Sequence, residues 1–265
     1  MELENVIDLL KSQLEGIDHP RAKTVLKQLQ ELDLKTNIND SLVLDSLYYL
    51  AKKIPILISY REPWRSKEFR LFLECFTLSD YYKRTLNTLI ETTFKGVLRK
   101  VKIPQDKMII EFYPGSGVGI EIISKVFPNK LAIMESYRED LDFVVERLEH
   151  QGLNVMVYET EYKDIGEVLS ESVGIVLIVS PITWFYSLSA LIDKAYSILE
   201  EGGYILGMCL LDSPGNILKP FMSALGEASI LTYGNLEMIL ISKYLSRTNI
   251  KVLNEFIIFS GMKKW

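Results

Sequence analysis

The spacing of apolar positions changes character about 100 residues into the chain. Before that point apolar residues recur at intervals of three and four. In ENVIDLLKSQL, Val6, Ile7, Leu10 and Leu14 fall on one helical face and Leu9 widens the stripe. After the Asp18-His19-Pro20 break, AKTVLKQLQEL repeats the rhythm through Val25, Leu26, Leu29 and Leu32. Asp40 and Ser41 supply a cap for SLVLDSLYYLAKK, which is expected to stop before Pro55 because a proline pushes its predecessor out of helical geometry. ISYREPWRSKEF reads as a loop, and two more helices are predicted near 66–76 and 79–97, the second capped by Ser79. Residues 1–100 therefore predict a mainly helical N-terminal domain.

From residue 108 short apolar runs alternate with helical patterns. MIIEFY, LAIMES, NVMVYET, VGIVLIVS and YILGMCLL read as strands. The segments between them, GSGVGIEIISKVF, REDLDFVVERLEHQG, DIGEVLSES and LSALIDKAYSILEEGG, read as helices. A helix near 216–225, a strand near 228–233, a helix near 235–247 and a last strand, VLNEFIIFSG, complete the pattern. Strands apolar almost throughout are covered by helices on both faces, so 101–265 predicts a doubly wound α/β domain with a mostly parallel sheet.

Composition narrows the function classes. The apolar fraction of 48% and charged fraction of 25% are those of an ordinary globular protein. A net charge of -5 offers no broad phosphate-binding field, which makes a nucleic-acid partner an unfavoured expectation. Cys75 and Cys209 are far apart and neither forms a CxxC pair, so a disulfide framework is not expected and a reducing cytoplasm fits. His19 and His150 are the only histidines, and no metal site is expected. The acidic start MELENVIDLL is unlike a signal peptide, and no apolar run reaches membrane-spanning length.

The strongest chemical signal is EFYPGSGVG, residues 111–119, where Gly115, Gly117 and Gly119 lie between a strand and a helix. Glycines there permit a sharp turn and close backbone approach to a ligand at the carboxyl ends of parallel strands. The dinucleotide fingerprint fails because Ile120 stands where its third glycine would fall, and no Gly-Lys pair makes a phosphate-binding loop. The pattern of an acid on the first strand, a glycine loop and a second acid ending strand two resembles the Rossmann-like S-adenosylmethionine-dependent methyltransferases. Their core is commonly E-x-G-x-G-x-G; Glu111, Gly115 and Gly117 match the acid and the last two glycines, whereas Tyr113 stands at the first. The resemblance implies S-adenosylmethionine as cofactor, with Glu111 near its amino group and the Gly115–Gly119 backbone facing it. It implies Glu135 on the ribose hydroxyls, with Ser136, Tyr137, Thr160 and Glu161 around the adenine. Tyr113 either tightens the loop or enters the crevice.

On the substrate side, SPITWFYS keeps one proline of the N-P-P-Y type motif of base amino-methyltransferases and lacks the amide. Ser180, Thr183, Trp184 and Tyr186 offer hydroxyls and aromatic faces suited to a small aromatic substrate. No histidine is placed to act as base, so Thr183, Ser180 and Tyr113 are the candidates for relaying a proton. The segment TTFKGVLRKVKIP together with EFYPGSGVG is further similar to the pyridinol C-methyltransferases of methanogenic archaea. That similarity implies methylation of ring carbon 3 of a 6-carboxymethyl pyridinol in iron-only hydrogenase cofactor biosynthesis, and a homodimer. Arg61, Arg65 and Lys67 are possible partners for the substrate carboxylate. Three other readings stay open: an NAD(P)-dependent oxidoreductase, an RNA or protein methyltransferase, and an inactive scaffold with Tyr113 over the cofactor loop.

Overall fold

The structure, a computed structural model, describes residues 2–32, 38–94, 106–169, 171–226 and 229–264. Five helices come first: α1 (Leu3–Leu14), α2 (Pro20–Gln30), α3 (Ser41–Leu57), α4 (Lys67–Leu78) and α5 (Asp80–Phe94). Side chains cap four of them, the expected Ser79 cap of α5 included, where Ser79 accepts from the Tyr82 amide. His19 accepts from the Arg21 amide, Asp40 from Leu42 and Val43, and Ser66 from Phe69. The expected stop before Pro55 is overturned: α3 runs through the proline to Leu57. Ile54, Leu57 and Ile58 are buried, and the Ile58 amide bonds to the Ile54 carbonyl, so packing of the last turn offsets the hydrogen bond that Pro55 removes. The predicted end of the fifth helix at 97, and the domain boundary near 100, lie outside the described residues.

The α/β part runs β1 (Met108–Phe112), α6 (Val118–Ser124), β2 (Lys130–Glu135), α7 (Arg138–His150), β3 (Val155–Glu159), α8 (Ile165–Val168), β4 (Val173–Ile178), α9 (Leu188–Ile198) and β5 (Leu199–Leu211). It continues through α10 (Leu218–Leu225), β6 (Ile230–Leu231), α11 (Tyr233–Ser242), β7 (Ser246–Leu253) and β8 (Phe256–Met262). The sheet order is β3-β2-β1-β4-β5-β8-β7, with β6 beside β5. All pairs are parallel except β5–β8 and β7–β8. This is the mixed, doubly wound α/β architecture the alternating pattern predicts.

Three elements near the C-terminal end of the described chain differ from expectation. The helix near 235–247 ends at Ser242, and the single last strand is a hairpin of β7 and β8. The strand near 228–233 is reduced to Ile230 and Leu231 among the described residues. β5 also starts earlier than YILGMCLL, at Leu199, with an irregular register against β4. One continuous apolar core joins helices and sheet, from Val6 to Met262. α10 packs on α2 and α3, while α5 lies against α6, β5 and β8 with Phe94 edge-on to Tyr204.

Candidate functional site

β1 lies between β2 and β4, so the chain's path across the sheet reverses there, and ligands of such sheets bind outside the carboxyl end of that reversal. The glycine turn sits at this point. Gly117 donates its amide to the Pro114 carbonyl at 2.9 Å, and Gly115 and Gly117 hold φ of 61° and 73°, a left-handed region that side chains disfavour. Space also excludes larger residues. A Cβ on Gly115 would stand 2.6 Å from Ser180 Oγ, and one on Gly117 2.8 Å from Val144 Cγ2. A Cβ on Gly119 would run into the Glu111 carboxylate.

Glu111 is 1% exposed and turned beneath this loop. Its Oε2 accepts from the Ile120 amide at 2.9 Å, while Oε1 is buried with no partner among the described residues. Burial pushes the Glu111 carboxyl up to about 8, against the pull of the Ile120 amide and Arg147. The top of the turn is covered from the helical segment: Thr77 of α4 shares a 2.6 Å hydrogen bond with the Ser116 hydroxyl. Arg147 of α7 donates to the Ser116 carbonyl at 2.7 Å and pairs with Glu121 at 2.6 Å.

Tyr113, at the first-glycine position, has φ 49° and is wholly buried. Its ring stacks on Tyr186, centroids 4.3 Å apart, with Tyr162 edge-on to both. Its hydroxyl donates to Glu161 Oε2 at 2.7 Å and accepts from the Tyr162 amide at 3.2 Å. Burial above all holds the Tyr113 and Tyr186 phenols far above the ordinary range, so both stay protonated. Arg65 donates to the Tyr186 hydroxyl at 2.8 Å, and its guanidinium lies 3.4 Å from the centre of the Tyr137 ring. The helical segment thus closes onto the strand ends through Arg65.

Glu135 ends β2 and is 2% exposed. Its Oε1 accepts from the amides of Ser136 and Tyr137, at 2.8 and 3.2 Å, and Oε2 accepts no hydrogen bond among the described residues. Burial pushes this carboxyl up to about 7, helped by Asp140 and opposed by the two amides and Arg65. Asp140 is itself held by Arg70 of α4 at 2.5 Å. Thr160 adjoins the same tip, its amide bonded to the Glu135 carbonyl at 3.0 Å.

After β4, Pro181–Phe185 forms a 3-10 turn. Ser180 caps it, accepting from the Ile182 amide, and the Thr183 hydroxyl donates to the Ser180 carbonyl at 2.6 Å. Trp184 is buried, with Nε1 donating to the Met208 carbonyl, and so lies in the core and not on a substrate face. Glu111, Gly115, Gly117, Gly119, Tyr113, Glu135, Ser136, Thr160 and Ser180 gather at the ends of β1, β2, β3 and β4. Thr183 sits beside them with its proton committed to the turn. Sequence reasoning singled out neither Thr77, Arg147 nor Tyr162. Each acts through a partner distant along the chain, and no spacing marks such a pair.

No family model matches the chain, and no curated protein matches it by sequence. Solved structures do. The CurJ carbon methyltransferase has a TM-score of 0.67 at 9% identity over 92% of this chain and 71% of that one. An O-methyltransferase family protein from Burkholderia thailandensis has a TM-score of 0.60 at 10% identity over 84% of this chain and 71% of its own. Human N-acetylserotonin methyltransferase, solved with S-adenosylmethionine, has a TM-score of 0.55 at 14% identity over 84% and 70%. At these identities the likeness shows the fold alone, the Rossmann-like α/β sheet with flanking helices that this chain shares with those proteins.

Proposed function

We propose that the protein is an S-adenosylmethionine-dependent methyltransferase acting on a small ring substrate. The observation that carries this reading is the Glu135 carboxylate, held by two amides with one oxygen uncommitted, beside a bare glycine turn at the sheet's reversal point. These residues fit the cofactor. Glu135 Oε2 suits ribose hydroxyl donors, Ser136 and Thr160 flank it, and Gly115 and Gly117 keep the backbone clear. Glu111 and Gly119 make the floor of the loop, with the unpartnered Glu111 Oε1 as a further acceptor for the cofactor's amino group. When bound, the cofactor supplies an electrophilic methyl group on a sulfonium.

The chain's own residues then orient the acceptor and take its proton. Tyr113 stays a neutral phenol and donates to Glu161, so the proton of an acceptor hydroxyl would end on the Glu161 carboxylate through the Tyr113 hydroxyl. Ser180 and Thr183 hold the loop that faces this centre. The stacked rings of Tyr113 and Tyr186 must part for an acceptor to reach the glycine turn. A finer reading is a carboxymethyl pyridinol methylated at ring carbon 3. Its support is the sequence similarity of EFYPGSGVG and of TTFKGVLRKVKIP, most of which lies outside the described residues, together with the Arg65 cation at the strand ends. The same reading carries a homodimer in a reducing cytoplasm, where Cys75 and Cys209 remain thiols. Among the described residues no helix is long and apolar enough to cross a membrane.

One observation favours a second reading, a scaffold without methyl transfer: the Tyr113 ring is buried against Tyr186 beside the cofactor loop. Calorimetric titration with S-adenosylhomocysteine and, in parallel, NADH separates the two. Binding of S-adenosylhomocysteine that Glu135→Ala abolishes is the expected result. No heat with S-adenosylhomocysteine would overturn the methyltransferase reading and leave the scaffold, or a dehydrogenase if NADH binds.

A further inference from the structure

A second opening lies on the far side of Tyr186. It is a cleft of about 850 Å³ between α2, the Pro63–Arg65 turn, the residues after β4 and the end of α10. Among the described residues Arg21 is the only charged one that lines it, in a chain of net charge -5. The Arg21 side chain meets no carboxylate among the described residues. Its Nη1 is shared by three neutral carbonyls, of Tyr60 at 3.2 Å, Leu225 at 3.4 Å and Ile58 at 3.5 Å. Leu225 ends α10 and Ile58 caps α3, so the guanidinium is held at the negative ends of two helices. Its Nη2 and Nε make no hydrogen bond among the described residues.

Aromatic rings wall the cleft. Trp64 stacks on Phe185 with centroids 4.9 Å apart and planes 5° from parallel, and Tyr186 continues the wall. Trp64 Nε1 is a buried donor with no acceptor among the described residues. An indole N–H left this way costs free energy until a ligand answers it. The cleft thus combines a cation with no carboxylate partner among the described residues, flat apolar faces and, on one of its wall residues, an unmet N–H donor, with no anion among its described lining residues.

We propose that this cleft binds an aromatic carboxylate, its ring along Phe185 and Tyr186 and its carboxylate on Arg21 and the Trp64 N–H. Guanidinium presents paired donors that match a carboxylate, and aromatic walls suit a planar ring. Tyr186 both lines the cleft and stacks on Tyr113, so the ligand becomes the methyl acceptor once these two rings part. That last assignment rests on the methyltransferase reading; the binding itself does not.

The probe is 4-hydroxybenzoate, compared by calorimetry with the uncharged 4-hydroxybenzamide. Wild-type protein is expected to prefer the acid by about tenfold or more, and Arg21→Gln to erase that preference while Arg21→Lys keeps part of it. Trp64→Phe keeps the stack on Phe185, removes the donor and is expected to weaken acid binding by about three- to tenfold. Because Arg21 also bridges two helix ends, melting temperatures accompany each variant. If Arg21→Gln does not fold, the acid–amide comparison on wild type and the Trp64→Phe result still decide. Equal affinity for acid and amide, no binding of either, or a preference that survives Arg21→Gln would overturn the proposal. Arg21-dependent acid binding without any S-adenosylhomocysteine binding would keep the cleft and remove the methyltransferase reading.

Discussion

The Tyr113 hydroxyl donates to Glu161 at 2.7 Å, joining the end of β1 to the loop after β3 across the tip of β2, which lies between them. The bond therefore spans the place where Glu135 sits. Tyr113→Phe leaves Glu161 without this donor and is expected to lower stability by about 1–2 kcal/mol in urea unfolding. Tyr113→Gly loses the buried ring, a cost of about 3–5 kcal/mol, offset by about 1 kcal/mol from the relieved left-handed backbone. It also uncovers the glycine turn, so S-adenosylhomocysteine is expected to bind several-fold more tightly. Weaker binding would make the ring a contact for the cofactor and not a cover.

Glu135 ties stability to pH. Its ordinary value is 4.5, and burial pushes it up to about 7 in the folded protein. Between those values the folded chain keeps a proton that the unfolded chain has released, so stability falls as pH rises and the loss is complete above about 7. Glu135→Gln is expected to flatten this part of the melting-temperature profile. Ribose hydroxyls donate to the ionised form, so S-adenosylhomocysteine affinity should rise as pH passes 7 and lose that dependence in the variant.

The Glu111–Gly119 contact predicts opposite effects from two substitutions. Gly119→Ala pushes a Cβ into the Glu111 carboxylate and is expected to destabilise by about 1–3 kcal/mol, as overpacking does. Glu111→Gln keeps an acceptor for the Ile120 amide and removes a carboxyl raised to about 8, so it should stabilise above that pH and matter little below 4.5. Chemical denaturation at pH 4 and pH 9, both about values chosen to bracket the titration, separates them. A Gln variant less stable than wild type at the higher pH would contradict the buried-charge account.

Gly226 sits against the aromatic wall of the Arg21 cleft. A Cβ there would stand 2.7 Å from Trp64 Cζ3, at a backbone φ of 158°. Gly226→Ala is expected to displace the indole and to weaken 4-hydroxybenzoate binding by about tenfold, with S-adenosylhomocysteine binding unaltered. Unchanged acid binding would mean that the Trp64 position is not part of the ligand site.

What could be read in the chain depended on how many sides of an element are buried. β1, β2 and β4 are covered on both faces, so they appear as apolar runs bounded by turns. β7 is an edge strand pairing with β8 alone, and SRTNIKVL leaves half its residues exposed. It carries no such run: the pattern places its first residues in the helix near 235–247 and its last two, Val252 and Leu253, in the strand VLNEFIIFSG. The site divides similarly. Glu111, the glycines and Glu135 follow one another along a strand–turn–helix–strand unit, and their nearness is legible. Arg65 on Tyr186 and Thr77 on Ser116 join segments far apart in the chain, and only the packing of α4 over the strand ends brings them together.

The strand order has a consequence for synthesis. β8, residues 256–262, lies inside the sheet between β5 and β7, although both are made before it. On the ribosome the parallel strands can collect their helices early, yet the buried stretch Tyr204–Leu210 of β5 keeps an open edge until residue 262 has emerged. That interval is when a nascent chain is most prone to pair with a stranger, so chaperone dependence should be concentrated there.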